Sequence, residues 1–398
     1  STHDFTTDGL ELMVEGDWLH ANNTTLGGDD GIAVAYALAL LDDKELKSPK
    51  IEVVITTDEE TGMYGAKALD TSILTSKYMI NVDSEDEAAV LTSCAGGLTA
   101  TTTLPITRTS VSGVKMTLEI SGLKGGHSGA EIHNNRSNAT KVLGRLLFDL
   151  TITQDYDLIT MHGGNKDNVI PRNAMAEIVV SQDDVDTFNQ EVTRLAKIYQ
   201  AELQTAEPEL KIATAVFDAN EYQVLSKISF EKMLFILMQS PYGVQTMSAD
   251  IAGLVETSLN LGIFKVEEDH VSFCFSVRSM KTSAKHALSD RLYYLSAFLG
   301  AEYEVRDEYP GWEYRPDSKL RDMYAKHYFN LYNKEVKVEA IHAGLECGLI
   351  VERMPELDII SIGPDMSGIH TAVERLNIPS SVRVYKVIEN MLEDMINL

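Results

Sequence analysis

Residues 26–41 read LGGDDGIAVAYALALL, and residues 51–62 read IEVVITTDEETG. In the first stretch a double glycine and two aspartates lead into an almost wholly apolar run, which predicts a helix over 31–41 buried on most of its faces. The second predicts a strand over 51–57 that runs directly into Asp58-Glu59-Glu60. Two more apolar runs, KYMINVD at 77–83 and ELDIISIG at 356–363, have the same character. Strands without polar alternation belong to a sheet covered on both faces, so the fold class is α/β with a mostly parallel central sheet. Beyond Ser381, the residues Val384, Ile388, Met391 and Met395 fall on one face of a terminal helix.

Between these outer segments lies a different pattern. It predicts a strand at 115–121, a helix around 136–150, strands at 158–162 and 174–180, a helix at 184–203 and a strand at 211–217. That β-α-β-β-α-β order is the ferredoxin-like arrangement. A helix near 230–238, strands at 258–266 and 270–278, a helix at 283–299 and the run AEYEVRDE at 301–308 echo it, which predicts a duplicated unit. In that last helix Leu288, Leu292, Leu295 and Leu299 form one face, with Ser283 as the expected cap and Gly300 past the end. The organisation read from these elements is a first domain segment over 1–96, an inserted α+β domain over 97–303, and the rest of the first domain over 304–398.

The chain of 398 residues is too long for one ordinary core, which agrees with two domains. Lys and Arg number 34 against 60 Asp and Glu, a formal charge of −26, which argues against a nucleic-acid or anionic-membrane surface. Its three cysteines, Cys94, Cys274 and Cys347, are far apart and form no CxxC pair, so neither a disulfide scaffold nor a cysteine-zinc site is expected. No stretch approaches transmembrane length and the first residues carry no signal-peptide pattern, so the cytoplasm is the expected compartment.

The chemistry-bearing residues cluster at the ends of the apolar runs. They are Asp29, the pair Glu59-Glu60, Asp83 in INVDS, and His370 in GPDMSGIH. Taken singly, each has a plainer explanation. Asp29 or Asp30 could cap a helix, Glu59-Glu60 could be solvated, Asp83 could form a turn and His370 could be a satisfied polar residue. Taken together, they are carboxylates and one imidazole delivered to the crevice of an open α/β sheet, with a spare glutamate beside a ligand. That set suits two zinc-like cations and a general base, the chemistry of metal-assisted amide hydrolysis.

The strings GDWLHANNTTLGGDDGIAVA, TTDEETGMYGA, NVDSEDE, GLKGGHSGAEIH, NKDNVIPRNA, TSLNLG, YPGWEYRPDS, IHAGLECGLI and SIGPDMSGIHTAVERL span nearly the whole chain. Through them the sequence resembles the M20 metallopeptidases, and within these the aminoacyl-histidine dipeptidases. The resemblance implies a zinc-peptidase-like catalytic domain interrupted by a lid of ferredoxin-like units. It implies two divalent ions, zinc with manganese or cobalt as alternatives, and Asp29 as their bridging ligand. Glu60 and His370 would complete one metal and Asp83 would serve the other. Glu59 would be the general base and His127 a donor to the scissile carbonyl, reaching the partner's site in a homodimer. A histidine in GGHSG can also be an ordinary turn residue. Asn168 and Arg172 would lie near substrate, unless Arg172 pairs with an acidic surface group. Gly344 and Glu346 would meet substrate ends, with a structural carboxylate as the alternative for Glu346. The implied reaction is attack of a metal-bridged hydroxide on a short unblocked dipeptide of the Xaa-His type.

One feature of the family pattern is missing. A His-x-Asp motif on an earlier strand has no counterpart in residues 1–28: His3 and Asp4 are adjacent, and His20 is followed by Ala21 and Asn22. The expectation is a chain that begins downstream of its first catalytic strands, with one metal site incomplete and weak turnover. Two rival readings stand beside it. One is a non-catalytic binding protein of the same fold, and the other an amidohydrolase acting on N-acyl amino acids.

Overall fold

The computed structural model describes residues 3–396, which divide into two compact units. The first comprises residues up to Cys94, Trp312–Ile341 and the chain from Leu345 on. The second comprises Ala95–Gly311 with His342–Gly344.

The first unit is built on a four-stranded sheet in the order Lys337–Ile341, Ala89–Cys94, Asp358–Ile362, Tyr78–Val82. The outer pairs run parallel and the central pair antiparallel, so the sheet is mixed. All five residues of Asp358–Ile362 are buried, because both faces of this strand are covered. Ile360 and Ile362 face a core shared with Tyr36, Tyr324, Tyr328, Val384, Ile388 and Met391 from three helices. Those helices are Gly28–Asp42, Lys319–Tyr332 and Ile378–Met395. The intervening Ile359 points the other way, against Trp312, Cys347 and Ile350, as the two-residue repeat of a strand requires.

A second, antiparallel sheet in the same unit orders Leu12–Glu15, Trp18–Ala21, Arg375–Asn377 and Met366–Ser367. Leu19 stands opposite Leu376 and Met366 opposite Leu376 on its other side. This sheet fastens the segment before Asp29 to the hairpin that carries His370, with Ala21, Leu26, Met366 and Leu376 as its small core.

Two expectations for this unit fail. Residues 51–57 carry no regular secondary structure and pair with no strand among the described residues, and Val53, Val54 and Ile55 are exposed. An apolar, β-branched run becomes a strand only where a backbone partner faces it. Here the Glu52 carboxylate makes the tie instead, accepting the N–H groups of Thr75 and Ser76 at 3.0 Å each. The helix Gly28–Asp42 leaves helical φ/ψ at Asp29 and Asp30, so its regular part starts at Gly31 as expected, but only one side is covered: Tyr36 is buried, whereas Leu38 and Leu41 are 64% and 59% exposed.

The second unit is built on a nine-stranded sheet, antiparallel throughout. Its order is Lys211–Leu225, Arg108–Ser121, Ala174–Val180, Asp157–Gly163, Val255–Val266, His270–Ser279, Gly96–Pro105, Glu302–Tyr309, with Gly243–Met247 paired to Val255–Val266. The first four strands lie, by chain order, as fourth, first, third, second. Read from the opposite edge, the last four repeat that order. Gly96–Pro105 takes the first place there although it precedes the whole other half. Helices Ala139–Leu150, Val185–Leu203, Lys227–Gln239 and Thr282–Leu299 cover the sheet. Leu143, Leu146, Leu147 and Phe188 pack against Met116, Leu118, Ile120 and Ile178. Thr282–Leu299 ends as expected at Gly300, whose φ is 77°. Its cap lies two residues before Ser283: Lys281 takes the cap position with no side-chain capping bond, so Ser283 lies inside the helix. No helix among the described residues is long and apolar enough to cross a membrane.

Candidate active site

In the first unit, Gly27 takes a left-handed conformation, φ 71° and ψ 28°, at the entry to the helix. This turns the N–H groups of residues 26–29 to one side, where the Glu374 carboxylate collects them at 2.7, 3.0, 2.8 and 3.3 Å. The helix start is therefore capped from elsewhere in the chain, and the capping explanation of Asp29 and Asp30 is set aside. Both depart from helical φ/ψ, and the Asp29 side chain is left to face the site.

Glu59 and Glu60 follow Asp58, whose φ is 57°, in a turn closed by bonds from Gly62 and Met63 N–H to the Glu59 carbonyl. His370, itself at φ 58°, sits in the turn of the Met366–Ser367/Arg375–Asn377 hairpin. A non-glycine residue in this region is uncommon, and such residues gather at functional sites. His370 Nε2 lies 2.7 Å from Glu60 Oε1 and 3.1 Å from Asp29 Oδ2. The ligand atoms of Asp29, Glu60 and His370 all lie within 4.8 Å of one another. Asp83 ends the Tyr78–Val82 strand, its N–H bonded to the Ile362 carbonyl at 3.0 Å. Glu346 opens the helix Glu346–Arg353 and accepts the Thr56 hydroxyl at 2.7 Å.

These carboxylates crowd one another. Burial, then Asp29, Asp30, Glu59 and Glu346, push the Asp83 carboxyl up to about 8. Burial and Glu60 raise Glu59, with Glu346, Asp29 and Asp30 adding to it. Burial raises Glu346 against the pull of Thr56, and burial with Asp29 raises Asp30. At His370 burial opposes the charged form, but Glu60 and Asp29 outweigh it and the net shift is upward. Such a set of mutually raised acids asks for a cation. Two carboxylates and an imidazole are a donor set that fits zinc, which in catalytic sites takes three protein ligands and keeps a position open.

In the second unit, Gly126–His127 pairs with Val169–Ile170, so the GGHSG and NVIPR motifs are joined: Ser128 N–H donates to the Asn168 carbonyl at 2.9 Å. His127 Nδ1 accepts two backbone N–H groups, from Gly129 at 3.2 Å and Ala130 at 3.0 Å. That pattern selects the neutral tautomer with Nε2–H free to donate. Burial and Arg278 lower the His127 pKa, against Glu131, which favours the same neutral form. Buried Glu207 holds both ends of this loop by accepting Lys124 and Ser137 N–H at 2.8 Å each. Arg172 bonds the Leu123 carbonyl at 3.1 Å, a backbone group and not an acidic one. Gly344 is required by contact: a Cβ there would come within 2.8 Å of the Tyr309 ring.

Several residues of these surroundings escaped the sequence reading. Arg278, almost fully buried, bonds the Tyr309 hydroxyl at 2.9 Å, and Asn260 bonds the Val169 carbonyl at 2.9 Å beside His127. Both were hidden inside runs read as plain strands. His342, 2.8 Å from Ser258, is pushed down to about 3 by burial and Arg278. Glu374 lay four residues past His370 in a quoted motif, and its acidic type in an apolar setting was the available signal.

A family model described as peptidase family M20/M25/M40 matches residues 6–394. The chain is 37% identical over 400 aligned positions to the cytosol non-specific dipeptidase of Escherichia coli, covering 99% of this chain and 82% of that protein. Among solved structures, the aminoacylhistidine dipeptidase of Vibrio alginolyticus superposes with a TM-score of 0.94 at 34% identity, over 99% of this chain and 81% of that one. The aminopeptidase PepT of Bacillus cereus shares the fold, with a TM-score of 0.53 at 13% identity over 98% and 78% of the two chains.

Proposed function

This chain belongs to peptidase family M20/M25/M40, and we propose that it is a metal-dependent dipeptidase acting on short unblocked dipeptides, Xaa-His among them. The observation that carries the reading is the convergence of Asp29, Glu60 and His370, with Glu59 next in sequence to one of them. Asp29, Glu60 and His370 would hold one divalent ion, zinc by the donor set. Asp83 with the shared Asp29 would face a second, held more weakly by fewer ligands. Bound metal supplies Lewis acidity and a lowered water pKa.

The chain's own residues do the rest. Glu59 is not tied up as a ligand, and its raised affinity for a proton suits it to take one from the attacking water and pass it to the departing amine. His127, with Nε2–H as its free donor, stabilises negative charge developing on the substrate's carbonyl oxygen. Asn168, Arg172, Gly344 and Glu346 are assigned to the neighbourhood of the substrate. The repeated strand order of the second unit supports a lid of two ferredoxin-like units inserted in the catalytic domain. A homodimer in the cytoplasm is the assembly and place we assign.

The test is hydrolysis of an unblocked Xaa-His dipeptide and of its N-acetylated form by zinc-loaded and chelator-treated protein. The reading expects cleavage of the unblocked substrate, lost on chelation and restored by zinc. Cleavage of the acetylated form alone, or of neither, overturns it.

A further inference from the structure

The geometry points to Glu374 as the residue that positions the metal centre, and we propose that this single buried carboxylate sets the spacing of Asp29 and His370 before any ion arrives. The inference rests on the metal site described above. Glu374 is 3% exposed and receives four consecutive backbone N–H groups, two on each oxygen: Leu26 and Gly27 on Oε2, Gly28 and Asp29 on Oε1. Successive N–H groups around a left-handed residue form a concave anion nest. An internal carboxylate fills that nest. The nest therefore serves the chain's own geometry, and the charge needed to balance Glu374 comes from backbone dipoles.

Glu374 is itself fixed. Its N–H donates to the Thr371 carbonyl at 3.2 Å, and the next residue, Arg375, enters a strand paired with His20 and Ser367. His370 belongs to the same short turn. The clamp thus ties the backbone of one ligand, Asp29, to the turn that presents another, although the two bonded residues are 345 positions apart in sequence. Glu60, the third ligand, takes no part in it.

Glutamine at this position offers one oxygen and one NH2 group, so half of the nest would face a donor where it needs an acceptor. The loop 26–29 must then move, and Asp29 with it. Replacing partners that orient metal ligands lowers metal affinity by about 10- to 100-fold, and Glu374→Gln should weaken zinc binding within that range. Glu374→Asp keeps both oxygens one carbon shorter and should fall between the two. Amide hydrogen exchange at residues 26–29 in the metal-free protein should accelerate in Glu374→Gln, a readout independent of zinc.

The experiment measures the zinc dissociation constant by competition with a chromophoric chelator, together with Tm. The control is Glu87→Gln, which alters another buried carboxylate of the first unit, bonded to Arg383 at 2.9 Å. A purely structural role for Glu374 predicts that both variants lose Tm and neither loses zinc affinity, and that result overturns the proposal. If Glu374→Gln does not fold, Gly27→Ala decides. Nothing lies within 4 Å of the added methyl, but it strains the left-handed turn that forms the nest. It should weaken zinc binding while the fold persists, and an unchanged dissociation constant refutes the clamp. Wild-type protein that binds no zinc would instead overturn the metal site itself.

Discussion

Replacing Asp83 by Asn should make the metal-free protein more stable and the metal-bound protein worse. The cause is burial and the crowding of carboxylates around this side chain: burial, Asp29, Asp30, Glu59 and Glu346 raise its carboxyl from 3.8 to about 8. Below 3.8 the carboxyl is protonated whether the chain is folded or not. Above that value the unfolded chain loses its proton while the fold retains it, so stability falls as pH rises, until about 8. Each pH unit in that window costs about 1.4 kcal/mol. At pH 7 the ceiling is about 4 kcal/mol, and proton sharing among the neighbouring acids brings the expected figure to about 2–3 kcal/mol. Asparagine has nearly the same shape and no proton to lose. Both tryptophans, Trp18 and Trp312, lie in the first unit, so their fluorescence during urea unfolding reports on the unit concerned. Chelator-treated Asp83→Asn should exceed wild type at pH 8, with the two curves meeting near pH 4. Zinc at 100 times its dissociation constant should then add about 2.7 kcal/mol to wild type and less to the variant. A variant less stable than wild type at every pH in the metal-free state refutes the reasoning.

The other predictions use different readouts. Glu59→Gln should lower hydrolysis by about 100- to 10,000-fold while elemental analysis finds metal near the wild-type level; loss of a metal equivalent would make Glu59 a ligand. His127→Ala should lower kcat by about 100- to 1,000-fold with zinc content intact, and unchanged kcat would leave it a turn residue. If the histidine serves a partner's site, mixing His127→Ala with Glu59→Gln subunits should restore activity, and hybrids that form but stay inactive speak for action within one subunit. For His342, burial and Arg278 hold the imidazole neutral down to about 3, whereas the unfolded chain takes up a proton near 6.5. Stability should fall by about 1.4 kcal/mol per pH unit as pH drops between those values. Calorimetry of His342→Gln should show a shallower decline there, and parallel profiles would remove His342 as the cause.

The sheet cores were legible because burial on two faces leaves an unbroken apolar run, as in Asp358–Ile362, and such runs need no partner to be recognised. Residues 51–57 have the same composition and form no strand, since composition records a preference for pairing and not the presence of a neighbour. Asp29, Glu60 and His370 could be named from their places at the ends of apolar segments, and the fold brings their ligand atoms together. Glu374 could not be assigned in that way. Its role consists of four backbone N–H groups contributed by residues far away in sequence, and backbone groups carry no residue-type signal. Asn260 and Arg278 were hidden for a related reason: polar side chains inside long strands read as alternation until the second unit's topology shows what faces them.

The central claim is that Asp29, Glu60 and His370 together hold a divalent ion. Crystals soaked in zinc, with anomalous data collected on both sides of the zinc absorption edge, test it most directly. The account predicts a peak within bonding distance of Asp29 and Glu60 carboxylate oxygens and His370 Nε2, lost in His370→Ala. A zinc-soaked protein with no peak there, or with its peak on other residues, contradicts it.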